Sequence, residues 1–296
     1  MRTYLDCIPC FFKQALEAAR FAGANENLQK RIINELALAL PKFPLTSSPP
    51  EMGQILYGLV KRITHKDDPF KKIKEKSNRL ALGMYPKLKK KVLGSSDRLL
   101  MAAELAIAGN IIDYGVKNSL DVDKELKRIL DEENKAIRKE NKTFFNYLEF
   151  KHTLKHAKTI LYLADNAGET VFDRVLIEEI KRLDEDREVI YAVKEKPIIN
   201  DALMEDAYRC GIGKVAKVIS NSLDVPGTIL SLCSREFLKI YKKADMIISK
   251  GQGNFEALSG VKKPTFFLFM TKCPVVAKDV GCNVGDIVLL YNLNKI

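Results

Sequence analysis

The chain has 296 residues, 46% of them hydrophobic and 29% charged. This composition suits a folded protein with a buried core and excludes a disordered tail. No apolar run approaches the roughly 20 residues that a membrane-spanning helix needs, so no membrane partner is expected. The opening MRTYLDCIPCFFKQALEAAR lacks the apolar stretch and small-residue cleavage site of a secretory signal. The expected location is the cytoplasm.

Lys and Arg number 49 against 38 Asp and Glu, a net charge of +11. A basic balance points to anionic partners, such as nucleic acid, phosphorylated metabolites or a membrane surface. The basic residues are scattered and densest in KLKKK at 87–91, where no stacking aromatic interleaves. A Lys-rich solvated surface is therefore preferred over nucleic-acid binding. The abundance of Lys, Glu and Ile would also suit a heat-adapted protein. Nothing in the sequence signals an oligomeric state.

The first half reads as helical. Residues 11–22 place Phe12, Ala15, Leu16 and Ala19 on one face, and 27–40 carry Leu28, Ile32, Leu36 and Leu40 on one stripe. The breaker PKFPLTSSPP follows. Ser47 or Ser48 is a candidate cap for the next helix, with Pro49 and Pro50 in its first turn and Met52, Ile55, Leu56 and Leu59 apolar. Residues 69–92, 95–112 and 126–150 continue the helical pattern. At about residue 155 short β-branched runs begin, at 159–164, 188–193, 214–219, 246–249, 265–269 and 286–291. They are apolar at nearly every position, as strands covered on both faces are. Helical stretches at 171–183, 198–210 and 230–244 separate the earlier runs. This alternation predicts an α/β fold with a doubly wound, mostly parallel sheet, an irregular last edge and an all-helical N-terminal region. The expected division is 1–150 and 151–296, tightly docked because no flexible linker marks the boundary.

Ligands of such sheets bind beyond the carboxyl ends of the strands. Four successive runs end in polar or glycine-rich sequence: Asp165-Asn166-Ala167-Gly168-Glu169; Lys194 to Pro197 with Asn200-Asp201; Ser220 to Ser222 with VPGT; and KGQGNFE at 250–256. Asp165, Asn166 and Asp201 are oxygen donors suited to magnesium or manganese, and no His or Cys lies near them to favour zinc. A helix cap is the competing role for Asp165. In KGQGNFE, the glycines would let backbone N–H groups approach an anion, a helix starting at Asn254 would aim its positive end there, and Lys250 would add charge. The spacing is neither a Walker loop nor a dinucleotide fingerprint. A cation facing an anion cradle is what phosphoryl transfer needs, and with no nucleotide loop in sight water is the expected acceptor. Asp165, Asp201 or Glu169 could act as base. Asn110 and Asp113 lie three apart on one helical face, which is either solvated or turned to the site.

These pieces resemble the metal-dependent damage-control phosphatase family, formerly domain of unknown function 89. The matching segments are CIPCFFKQAL, AGNIIDYG, ADNAGETVFD, PIINDA, PGT and SKGQGNFEAL, in the family's order from Cys7 to Leu258. The C-x-x-C resembles that of the prokaryotic and archaeal branch. The resemblance implies helices packed on a three-layer α/β/α domain and a divalent metal (manganese, nickel, cobalt or magnesium) held by Asp165, Asn166 and Asp201. It also implies Lys250 on the substrate phosphate, Asn110, Asp113 and Glu169 lining the site, and Gly251, Gly253, Asn254 and Glu256 shaping the loop. The implied activity is hydrolysis of small phosphorylated metabolites.

Cys7 and Cys10 are open between core packing and a metal or redox role. His152 and His156 share a helical face that reads as solvated. Two rival functions are an S-adenosylmethionine-dependent transferase, which the single glycine of DNAGE disfavours, and a basic nucleic-acid-binding protein, which rests on charge alone.

Overall fold

The computed structural model describes residues 1–110, 112 and 143–294. Helices α1 (Cys7–Phe21), α2 (Glu26–Ala39) and α3 (Pro49–Thr64) come first. Asn25 Oδ1 caps α2 by accepting from the Leu28 N–H at 3.0 Å. Ser48 caps α3, its N–H donating to Glu51 at 2.6 Å, with Pro49 at the first helical position. The three helices bury Phe11, Ala15, Ile32, Leu36, Met52 and Leu56 in a core of their own.

Helices α4 (Lys71–Leu93) and α5 (Arg98–Ala108) behave differently. They share a core with the sheet, so the sheet's first covering layer draws on the helical half of the chain. The small residues of α5 permit close approach: a Cβ added at Gly109, just past its end, would lie 2.9 Å from the Phe172 ring. Asp113 and most of the helix expected at 126–150 lie outside the described residues. Helix α6 spans Tyr147–His156, and the exposed His152 and His156 rings meet edge-on on it, their centroids 5.0 Å apart.

The strands are β1 (Thr159–Leu163), β2 (Glu188–Val193), β3 (Lys217–Ser220), β4 (Met246–Lys250), β5 (Thr265–Met270) and β6 (Ile287–Tyr291). Among the described residues they form one sheet in the order β3-β2-β1-β4-β5-β6. The pairings from β3 through β5 are parallel, and β6 runs antiparallel to β5, which is the irregular edge expected. Between strands lie α7 (Glu169–Leu183), α8 (Met204–Arg209), α9 (Arg235–Lys243), α10 (Gln252–Leu258) and α11 (Pro274–Val280). Side chains alternate between the faces. Ile160, Tyr162, Val189 and Tyr191 pack with α4, α5 and α7, whereas Leu161, Leu163, Ile247 and Phe267 pack with α9, α10 and α11. This is a three-layer α/β/α architecture with N-terminal helices. No helix among the described residues is long and apolar enough to cross a membrane.

Several boundaries differ from the sequence expectation. The helix expected at 198–210 begins only at Met204, where the Asp206 carboxylate accepts from the Leu203 N–H at 2.9 Å. Residues 198–203 instead run beside the loop after β1, with Ala167 N–H bonded to Asn200 O and Ala202 N–H to Asp165 O. The run at 214–219 becomes a strand only from Lys217, because Gly211 at φ 83° turns the chain into a short 3-10 segment, Ile212–Lys214. The stretch at 230–244 splits at Ser234, which caps α9 by accepting from the Phe237 N–H.

Candidate active site

Strands β1 and β4 are neighbours, and the strand order runs outward from them in opposite directions. Their carboxyl ends flank the switch point where doubly wound sheets bind ligands. A cavity of about 300 Å³ opens there. Asp165, Asn166, Asn200 and Asp201 line it from the β1 and β2 loops. Gly227 and Lys272 line it from later loops, Gly253 and Glu256 from α10, and Gln14 and Tyr57 from the N-terminal helices.

Backbone pairing brings the expected oxygen donors together, since Asn166 and Asp201 form an antiparallel bridge. The Asn166 amide donates to Asp165 Oδ2 at 3.1 Å and to Glu169 Oε1 at 2.9 Å, leaving its carbonyl oxygen as the atom suited to a cation. Burial, Glu169 and Asp201 push the Asp165 carboxyl well above its ordinary value. Burial pushes Asp201 up to about 6, against the pull of Lys194. Crowded, desolvated oxygen donors of this kind gain from a divalent cation. Among the described residues no three His, Cys, Asp or Glu side chains converge as a metal group, so the donor set that fits an ion is two carboxylates and one carboxamide.

Gly251 is what lets Asp165 sit there. At φ 83° it occupies a backbone conformation that favours glycine, and an added Cβ would overlap the Asp165 carboxylate. Asn254 is a clamp. Its amide donates to Ala164 O at 3.0 Å and Lys250 O at 2.8 Å, and its Oδ1 accepts from Thr228 at 2.7 Å. Helix α10 starts at Gln252, two residues before the expected Asn254, with Gly251 as its cap.

Lys250 and Glu169 lie behind the cavity wall, and neither lines it. Lys250 is 1% exposed and donates to Asp173 Oδ1 at 2.7 Å and Glu169 Oε2 at 3.1 Å. Glu169 also accepts from Asn110 at 2.7 Å, which places Asn110 in the same buried network. Asp173 accepts further from the Tyr162 and Tyr191 hydroxyls, each at 2.7 Å. The Lys250 placement thus differs from that of a side chain on a substrate phosphate. The cation that does line the cavity is Lys272, two residues beyond β5. Sequence pointed to four strand ends and stopped short of this fifth one. Lys194 is buried too, donating to Gly227 O and lying 3.6 Å from Asp201. Asn78, on α4, accepts from the Gly168 N–H at 2.8 Å and ties the helical half to the β1 loop.

The six cysteines are free thiols. Cys10 accepts from Gln14 at 3.0 Å and Cys273 from Gln252 at 3.7 Å, two glutamines that line the cavity.

Glu256 gives the cavity a measurable pH response. Burial pushes its carboxyl up to about 7, with Gln252, the N-terminal amine and Lys272 pulling it down. The folded chain therefore holds a proton that the unfolded chain releases near 4.5. Stability should fall as pH rises between those two values. Glu256→Gln should flatten that slope in urea-unfolding series from pH 4.5 to 7; an unchanged slope would refute the assignment.

Comparison with known proteins places the chain in a family. Residues 3–288 match the family model described as the damage-control phosphatase ARMT1-like domain. The chain is 35% identical over 299 residues to damage-control phosphatase PH1575 of Pyrococcus horikoshii, covering all of both chains. It is 33% identical over 285 residues to a damage-control phosphatase of Archaeoglobus fulgidus, covering 95% of this chain and 96% of that one. A mouse 4'-phosphopantetheine phosphatase is 28% identical over 145 residues, 47% of this chain and 18% of that protein. The crystal structure of the P. horikoshii protein superposes with a TM-score of 0.86 over 99% of each chain. With the site at the β1–β4 switch point and this match along nearly its whole length, the chain belongs to the damage-control phosphatase family with the ARMT1-like domain.

Proposed function

We propose that the chain is a divalent-metal-dependent phosphatase that releases phosphate from small phosphorylated metabolites. The observation that carries this reading is one cavity sharing the oxygen donors Asp165, Asn166 and Asp201 with the ammonium group of Lys272. The names of the archaeal relatives support it, and that of the mouse relative supports a small phosphorylated metabolite as substrate.

Asp165, Asn166 and Asp201 would hold manganese, nickel, cobalt or magnesium, which when bound polarises a phosphoryl oxygen and acidifies water. Lys272 holds the negative charge of the phosphate from the other loops. Gly227 and Gly253 line the cavity where their loops pack on each other, since a Cβ added at Gly227 would lie 2.6 Å from the Gly253 carbonyl oxygen. Of the three candidate bases, Asp165 and Asp201 line the cavity and Glu169 does not. Proton removal from the attacking water falls to one of the first two. Glu169 and Lys250 act as positioning residues, Glu169 by fixing the Asn166 amide and Lys250 by neutralising Glu169 and Asp173.

The direct test strips the protein with chelator and follows phosphate release from p-nitrophenyl phosphate as each of the four metals is restored. Activity should be absent in the stripped protein and return with at least one of them. Full activity after stripping would refute metal dependence; no activity with any, together with no bound metal by elemental analysis, would refute the reading.

A further inference from the structure

A second cavity of about 270 Å³ lies against the first. Ala18, Tyr57, Phe70 and Ile199 line both, so these four side chains are the partition between them. The far chamber has apolar walls from Val60, Pro69, Pro197, Ile198 and Val225. Its charged residues are Lys61, Lys66, Asp67, Asp68 and Asp224, all exposed but the half-buried Asp68, and Lys61 pairs with Asp67 at 2.9 Å. The partition itself is strained. Ile199 has φ 45°, a left-handed conformation that strains a β-branched residue. It lies two residues before Asp201, so the loop that delivers this donor also contributes to the partition.

Resting on the phosphatase reading, we propose that this chamber is a second substrate compartment: it takes the apolar chain of an elongated phosphomonoester whose phosphate sits in the first cavity. An apolar wall beside a polar phosphate pocket recognises an ester with a polar head and a carbon chain several bonds long. A compact ester fills the first cavity alone.

The chamber can be filled without touching the phosphate site. Gly58 lines it from α3, and a Cβ added there meets nothing within 4 Å. Its backbone is helical, so a larger residue also suits the helix. Gly53, one turn earlier, differs: its added Cβ would lie 2.9 Å from Pro226. Gly58 is an exposed lining residue, so Gly58→Leu sets an unobstructed side chain at the chamber's mouth, and Gly58→Ala is the control that leaves the mouth open.

The experiment is calorimetric binding of methylphosphonate and hexylphosphonate to the manganese-loaded full chain. Each methylene buried contributes roughly fourfold in affinity, so even partial burial of the longer chain gives hexylphosphonate an advantage of about tenfold or more. Gly58→Leu should cut that advantage to about twofold or less, leaving methylphosphonate binding unchanged, and Gly58→Ala should keep it. Equal binding of the two phosphonates to the parent chain, no binding of hexylphosphonate, or an undiminished advantage in Gly58→Leu would each overturn the compartment. Phosphate release from methyl phosphate is followed in parallel. Its absence, with chain-length-dependent and Gly58-sensitive binding intact, would sink the phosphatase reading while supporting the compartment.

Discussion

Asp165→Ala should lower metal-dependent phosphate release by at least about a hundredfold, since losing even an outer-shell partner of a metal ligand costs 10–100-fold. The metal-free variant should be no less stable than the parent. Asp165 is desolvated beside Glu169 and Asp201, and its carboxyl is held well above the ordinary range, so its charged form is opposed by its surroundings. Removing it relieves that opposition and leaves a small void. What the variant should lose is stabilisation by added manganese, which is linked to binding and therefore to the donor set. Melting curves with and without manganese read both effects. Retained activity, or a metal-dependent rise in melting temperature equal to the parent's, would remove Asp165 from the donor set. Gly251→Ala reaches the same end by another route, because its methyl group needs the space that the Asp165 carboxylate fills.

Much of this site was legible in sequence for a definite reason. Strand ends in a parallel sheet all face one edge, so polar residues just after β1 and β4 had to meet once the alternation of strands and helices was read. Asp165, Asn166, Asp201 and Gly253 do line one cavity. Depth was not legible. Whether Lys250 points to solvent or beneath the wall depends on Asp173 and the tyrosines of β1 and β2, and a residue's own type carries no trace of those partners. The division of the helical half was hidden likewise: α1 to α3 and α4 to α5 show the same 3.6-residue periodicity, yet only the latter pair joins the core of the sheet. The extended path of 198–203 was masked by apolar residues that suit either a helix or a buried loop. It is fixed by bonds to the β1 loop that lie far away in sequence. Lys272 looked like one surface lysine among many, and only the position of β5 turns it to the cavity.

Lys250→Met should destabilise the fold by about 3–5 kcal/mol, the cost of breaking a buried pair by removing one partner. The ammonium is 1% exposed and is the only cation bonded to Glu169 or Asp173 among the described residues. Methionine fills the same volume without charge, which leaves two buried carboxylates facing each other. Burial already raises Asp173, and Lys250 is the chief influence holding it down. In the variant Asp173 rises further, so the folded state binds a proton that the unfolded state does not. Stability should then fall as pH rises above the ordinary carboxylate range, the reverse of ordinary acid denaturation. Adding Asp173→Asn to Lys250→Met should recover a large part of the loss, because the asparagine can still accept from one tyrosine and carries no charge. Urea unfolding of the parent, the single variant and the double variant at two pH values reads all of this in one series. A cost below about 1 kcal/mol for Lys250→Met would show the ammonium to be no more than a surface-like pair. A double variant as unstable as the single would show that the lysine's packing, and not its charge, supports the loop that carries Gly251.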